Sequence, residues 1–376
     1  MTKPSTIDAW LAELGQPAAD RDYKPGHERM LALLSDLPLH KPRLRIRVAG
    51  TNGKGSTSFM LAEALETCGL KTGLYTSPHI LHFNERIRIN GSPVNDDTLH
   101  QLLELLMPRA RECGASYFEV ATALALLHFS RQKVDVEILE AGVGARLDAT
   151  TAIPADLALI TPIALDHQAW LGDTLEQVAM EKAYAMQECA ISISAPQTKK
   201  VEVILRDFSP KMHLAEIDSW PNLAAIGDHQ HINASLALNA VRAVTDHGLI
   251  ECDIDTARSA IETTQIPGRM QRVVYGEATI WLDAAHNRHA VEALLPTLKT
   301  MNLDSIFVFT REDRSLADSL PLLSACTNRL ITDADYPHVA EALDAELHSH
   351  PNDSLLILGS FTTVAAVLEW LKIRRN

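Results

Sequence analysis

The segment that most constrains this chain is Val48-Ala49-Gly50-Thr51-Asn52-Gly53-Lys54-Gly55-Ser56-Thr57, a glycine-rich turn with one lysine and two closing hydroxyls. It follows Leu44-Arg45-Ile46-Arg47-Val48-Ala49, which alternates as a strand does, and precedes residues 58–65, which read as helix. Strand, glycine turn and helix in that order aim backbone N–H groups and a helix N-terminus at a phosphate. Lys54 reaches the terminal phosphates, and Ser56 or Thr57 offers an oxygen to a metal ion. Gly50, Gly53 and Gly55 permit a backbone approach that a Cβ would block. The turn therefore predicts a bound nucleoside triphosphate, against the plainer reading of a tight turn in an α/β domain.

The spacing predicts strands over 44–49, 71–76, 134–140 and 156–162, alternating with helices over 54–68, 117–132 and 174–188. The short apolar runs of these strands suit a buried parallel sheet. Helices over 232–247 and 254–263 lead into Gln265-Ile266-Pro267-Gly268-Arg269, a turn-forming link. Beyond it, strands over 271–275, 279–283, 305–310 and 354–358 alternate with helices over 287–300, 338–348 and 362–373. With 376 residues to place, two domains are expected. The fold class is α/β: a P-loop, doubly wound, mostly parallel domain (1–265), then a smaller Rossmann-like α/β domain (266–376).

A net charge of −14 excludes the basic footprint that nucleic acids or acidic membranes require. No stretch reaches the roughly 18 apolar residues of a membrane span. The N-terminus carries no apolar signal region, and the five cysteines include no C-x-x-C pair. Free thiols and a cytoplasmic location are expected.

In a doubly wound sheet, ligands gather at the carboxyl ends of the strands, beside the glycine loop. Glu140, ending the apolar run from Val134, is placed there to hold a metal ion on the phosphates; a solvated strand-end acid is the plainer alternative. His167, after Asp166, ends the next strand, and Ser77 follows an earlier one. Ligands from three adjacent strand ends make a magnesium site. His229 and His231 lack further partners at ligand spacing and read as loop residues.

Only Thr51 and Asn52 separate Gly50 from Gly53, which departs from the standard G-x-x-x-x-G-K-[ST] spacing. The turn resembles the phosphate loop of the Mur ligase superfamily, most closely its folylpolyglutamate synthase/dihydrofolate synthase branch. Tyr75-Thr76-Ser77-Pro78-His79, residues 84–91, residues 140–150 and residues 165–172 are similar to blocks of that branch in the same order. The resemblance implies that Ser77, Glu140 and His167 bind magnesium. It further implies that Lys182 in Glu181-Lys182-Ala183 is carbamylated and helps hold a second ion; without it, Lys182 reads as a surface lysine. It assigns Asn233 to the adenine, Arg269 to the phosphates, Asp283 to the ribose, and His286 to the γ-phosphate and incoming amine. Asp283 could also serve as a helix N-cap. On the acid side it implicates Gly26 and His27 in Lys24-Pro25-Gly26-His27-Glu28-Arg29, Phe118 in Ser116-Tyr117-Phe118-Glu119, and Asp148.

The resemblance thus implies an ATP- and Mg2+-dependent amide ligase, with two ions, acting through an acyl phosphate. A pteroate- or folate-like acid would be joined to glutamate by a monomeric enzyme. Departures from the branch pattern fall at Ala145, Thr151, Ala183-Tyr184-Ala185-Met186, residues 310–314 and Thr362. They predict poor polyglutamate extension and keep three alternatives open: a paralogue joining another acid and amine, a P-loop hydrolase or kinase, and a degenerate nucleotide-binding partner protein.

Overall fold

The computed structural model describes residues 6–14, 26–35, 37–311 and 315–375. Lys24, Pro25 and residues 312–314, singled out above, lie outside the described residues. The chain divides into two compact units, Met1–Ser219 with Ile232–Glu262, and Trp220–His231 with Thr263–Asn376.

The first unit is built on β1 (Leu44–Ala49), β2 (Thr72–Tyr75), β3 (Ile87–Ile89), β4 (Ser92–Pro93), β5 (Val136–Glu140), β6 (Leu157–Ile160), β7 (Ile191–Ser194) and β8 (His213–Leu214). They lie in the order β4-β3-β2-β5-β1-β6-β7-β8. Only β3 and β4 run antiparallel to their neighbours. Strand β1 is central, with Val48 level with Glu140 on one side and Leu159 on the other. The glycine turn therefore leaves the sheet between the ends of β5 and β6. The alternation of β1 does not mark a solvated face, as it would in an edge strand. Leu44, Ile46 and Val48 are fully buried, and Arg47 on the opposite face is only 4% exposed.

The helix Lys54–Thr67 starts directly from the turn, and the helix Tyr117–Gln132 starts from a capping box between Ser116 and Glu119. The helix Asp96–Cys113 was not anticipated. It holds Pro108 in its interior, is capped by Asn95, and buries Leu99, Leu102, Leu103 and Leu106 at helical spacing. The expected helix over 174–188 is shorter: Leu175–Ala183, continued by a 3-10 turn, Tyr184–Met186. The expectation of free thiols is corrected at one pair. Cys68, which ends the helix Lys54–Thr67, is disulfide-bonded to Cys252, while Cys113, Cys189 and Cys326 are free.

The second unit contains β9 (Gln271–Tyr275), β10 (Ala278–Leu282), β11 (Leu303–Val308), β12 (Thr327–Thr332) and β13 (Ser354–Leu358). Their order is β12-β11-β13-β10-β9, parallel apart from β9. Strand β12 was missed because its residues are mostly half-buried and polar. His229 and His231 belong to the first turns of the helix Asp228–Asp246, not to a loop. Among the described residues, no helix is long and apolar enough to cross a membrane.

Candidate active site

The turn after β1 has the backbone its glycines allow. Gly50 has φ +142°, and a Cβ there would sit 2.8 Å from the Thr161 carbonyl oxygen. Gly53 is left-handed at φ +88° and begins the helix Lys54–Thr67. A Cβ on it would collide with the side chain of Asn233, which is buried against the turn. Asn233 thus belongs to the first unit. Thr51 and Asn52 donate their N–H groups to the Pro162 carbonyl, at 3.0 and 3.4 Å. The Thr51 hydroxyl donates to Ala164 O and accepts from Ala164 N. The loop after β6, which carries Asp166 and His167, is locked to the glycine turn in this way.

Glu140 is buried at the end of β5. Its Oε2 accepts the Ser77 N–H at 2.9 Å and would lie 3.7 Å from a Cβ built on Gly55. Two of the proposed metal-binding positions therefore meet beside the phosphate loop, where Ser56 and Thr57 are also buried. His167 sits in the left-handed region at φ 49° and starts the short helix Gln168–Leu171. Its Nε2 lies 4.0 Å from Asp166 Oδ2. Carboxylate and hydroxyl oxygens of this kind suit a hard divalent cation, and their position fits magnesium on a triphosphate. Among the described residues, the cluster of His, Cys, Asp or Glu ligand atoms with mutual separations within 4.8 Å is elsewhere, at Glu346, His350 and Asp353. Arg329 pairs there with both Glu346 and Asp353.

Lys182 is not a surface lysine. It is 2% exposed, on the inner side of the helix Leu175–Ala183, and donates from Nζ to Gly50 O at 2.7 Å. Lys54 donates to the same carbonyl at 3.2 Å and to Thr51 O at 3.1 Å. Burial, reinforced by the Lys54 charge and partly opposed by Asp166 and Asp148, holds the Lys182 amine down at about 7.

The acid-side positions form a second cluster in the same unit. Arg29 pairs with Glu119 at 3.0 Å, and His27 Nε2 lies 3.1 Å from the Thr151 hydroxyl. The half-buried Phe118 ring packs so closely on Gly142 that a Cβ there would lie 2.6 Å from Cζ. Tyr75 stands 6.0 Å from Phe118, centroid to centroid. Asp148 is buried, and burial pushes its carboxyl up. Its Oδ2 accepts from Gly142 N and Val143 N, and its Oδ1 from Thr150 N and Thr150 Oγ1. Four donors occupy both oxygens, so Asp148 organises the loop, not an outward contact. The Ala145 methyl is 1% exposed in the apolar cluster that also holds Leu171 and Ala179. That departure from the branch pattern is absorbed by packing.

In the second unit, Asp283 is 3% exposed and its oxygens accept from Met270 N and Ala285 N, at 2.9 and 2.8 Å. It is not the N-cap of the helix Arg288–Leu298; Asn287 is. The Arg269 guanidinium lies 4.7 Å from the Phe361 ring centre, and His286 is 6.5 Å from that ring. His286 Nδ1 is 2.9 Å from the Ala284 carbonyl. Thr362 joins Ser360 and Thr363 in a hydroxyl chain.

A central parallel strand, a lysine-bearing glycine turn and a strand-end carboxylate define a P-loop protein built to handle nucleotide phosphates. No family model matches the chain. It is 30% identical over 415 aligned positions to the dihydrofolate synthase/folylpolyglutamate synthase of Escherichia coli K12, covering 99% of this chain and 97% of that one. The Bacillus subtilis protein of the same description is 32% identical over 314 positions, covering 73% and 72%. The solved structure of E. coli FolC in complex with DHPP and ADP superposes with a TM-score of 0.87 at 28% identity, over the full length of both chains. The chain belongs to the dihydrofolate synthase/folylpolyglutamate synthase family and is an ATP-dependent ligase.

Proposed function

We propose that the enzyme joins a dihydropteroate-type acid to the amino group of L-glutamate. The observation that carries the choice of acid is the Phe118 ring, held on Gly142 and Tyr75 above a loop organised by Asp148. Such a surface offers an aromatic face to a flat conjugated ring. The substrate carboxylate attacks the γ-phosphate, giving an acyl phosphate and ADP. The glutamate amine then attacks the acyl carbon, an amide forms, and phosphate and a proton leave. Lys54 and the loop N–H groups bind and orient the phosphates, and positioning supplies most of the remaining acceleration. Ser56, Ser77, Glu140 and His167 would hold magnesium, which supplies charge neutralisation on the transferring phosphoryl group. Asn233 is the adenine contact we assign. In the second unit, Arg269 offers a planar cation for phosphate oxygens and Asp283 fixes the turn facing the ribose. His286 is assigned to the incoming amine. The setting proposed is a cytoplasmic monomer with functional domains 1–265 and 266–376.

Phosphate release should require dihydropteroate and glutamate together, read as ADP formation and as one product mass. Release from ATP alone would favour a hydrolase, and reaction only with another acid would favour a paralogue. Because Ala145, residues 310–314 and Thr362 depart from the branch pattern, single addition should dominate. Efficient addition of several glutamates to a reduced folate would overturn that expectation.

Lys182 as a carbamate is part of the same proposal. A buried amine held at about 7 is largely neutral at pH 8 and can attack carbon dioxide, forming the N–C bond and releasing a proton. Activity should therefore fall in carbon dioxide-stripped buffer, recover with bicarbonate, and decline as pH drops below 7. Lys182→Ala should lose about a hundredfold in kcat and be partly restored by a short carboxylic acid. Indifference to carbon dioxide, with no rescue, would leave Lys182 as a simple ammonium on the Gly50 carbonyl.

A further inference from the structure

Arg47 lies on a covered face of the central strand, three residues before the glycine turn, and no role above uses it. Its Nη1 donates to the carbonyls of Ala185 and Gln187 at 3.2 and 3.0 Å. Its Nη2 donates to the carbonyls of Thr151 and Ile153 at 3.4 and 2.5 Å. All four Nη hydrogens thus go to main-chain oxygens, two on each of two loops. No carboxylate is among its hydrogen-bond partners. Cys189 Sγ is 3.9 Å away, and burial pushes that thiol up, so the nearest titratable neighbour is neutral at pH 7. A buried guanidinium whose Nη hydrogens go to peptide carbonyls, while its buried Nε has no hydrogen-bond partner, is costly to place and fixes what it binds.

What it binds is the acid-side loop and the turn that follows Lys182. Thr151 presents its carbonyl to Arg47 and its hydroxyl to Ala145 O, at 2.5 Å. That hydroxyl has one proton, so His27 Nε2, 3.1 Å away, is the donor to it. Movement of Arg47 is therefore transmitted through Thr151 to His27 and to the Gly142–Asp148 loop. On the other side, Ala185 and Gln187 belong to the 3-10 turn that terminates the Lys182 helix. We propose that Arg47 is a positioning residue of the ligase, setting the acid-binding loop and the Lys182 segment in one register beneath the glycine turn.

The inference rests on the acid-side reading above for its kinetic arm only. With 7,8-dihydropteroate as the probe, Arg47→Lys should raise the KM for the acid and lower kcat, each at least about tenfold. The KM for ATP should change less than about twofold, because the glycine turn has its own anchors at Pro162 and Ala164. A lysine keeps the charge but not the fork, so it cannot span four carbonyls. Thr151→Val, which removes only the hydroxyl link, should give the same pattern and decides the matter if Arg47→Lys does not fold. The second arm needs no substrate. Amide exchange over 142–153 and 184–189 should quicken together in Arg47→Lys, by roughly tenfold, with the helix Lys54–Thr67 unchanged. If the wild type ignores dihydropteroate, the assigned acid falls and the exchange arm still judges Arg47. Equal loss for ATP and acid, unchanged kinetics in a folded variant, or exchange rising in one loop alone would each overturn the proposal.

Discussion

Lys54→Ala is expected to lower kcat by roughly a thousandfold while leaving the fold intact, a loss of about 4 kcal/mol of transition-state stabilisation. Two observations separate this effect from a structural one. The ammonium group makes only two contacts, to carbonyls of its own turn, so its deletion should cost folding on the order of 1 kcal/mol or less. The turn itself is held by hydrogen bonds of the Thr51 and Asn52 N–H groups and the Thr51 hydroxyl to Pro162 and Ala164, and the substitution removes none of these. A further consequence distinguishes Lys54 from a lone phosphate contact. Its charge is one of the causes that depress the Lys182 amine, so its removal should let that amine rise. The acid limb of the pH profile should then move to higher pH in whatever activity remains. ADP release at saturating ATP and a thermal unfolding scan make the test. Turnover at the wild-type level would remove the phosphate assignment of the turn.

The glycine turn and Glu140 were legible in the sequence because each is a local signal. The turn needs glycines where φ is positive or another backbone is close, and Glu140 closes a largely apolar strand. Strands β1, β2, β5 and β6 and the helix Tyr117–Gln132 were legible for the same reason, whereas β3, β4, β7 and β8 were not. Most of what escaped was carried by contacts distant in sequence, the Asp148 clamp being the local exception. Arg47 alternates with apolar neighbours and so resembled a solvated strand residue, whereas its carbonyl partners lie 104 to 140 positions away. Asp148 was placed against ligand, yet its four donors come from residues 142 to 150. An aspartate two residues before a threonine in a glycine-rich turn is an available signal for such a clamp. The Arg29–Glu119 pair joins two blocks that were singled out separately. For Lys182 the sequence offered only an amphipathic helix; burial against Gly50 emerges once β1 and that helix are packed.

Cysteine spacing gave no hint of the Cys68–Cys252 bond, and its consequence is the second large effect. The two residues are 184 positions apart. Closing a loop of that length restricts the unfolded chain by about 5 kcal/mol in the chain-entropy account, and disulfides typically contribute about 2–4 kcal/mol when measured. The bond joins the end of the helix that starts at Lys54 to the connection between the helix bearing Asn233 and the helix Ile254–Thr263. The helix Lys54–Thr67 begins at the glycine turn and the Asn233 side chain packs on Gly53, so the link braces the nucleotide side of the first unit from behind. Denatured, unreduced protein should titrate three thiols, and reduced protein five. Reduction, or Cys68→Ser with Cys252→Ser, should lower the unfolding midpoint of that unit by on the order of 10 °C. ATP should offset part of the loss, because ligand bound to the native turn favours the folded state. The contrast with Lys54→Ala is sharp: one substitution removes turnover and leaves stability, the other lowers stability and leaves the phosphate contacts in place. Five reactive thiols without reductant, or an unmoved midpoint after reduction, would mean that packing alone holds these helices together.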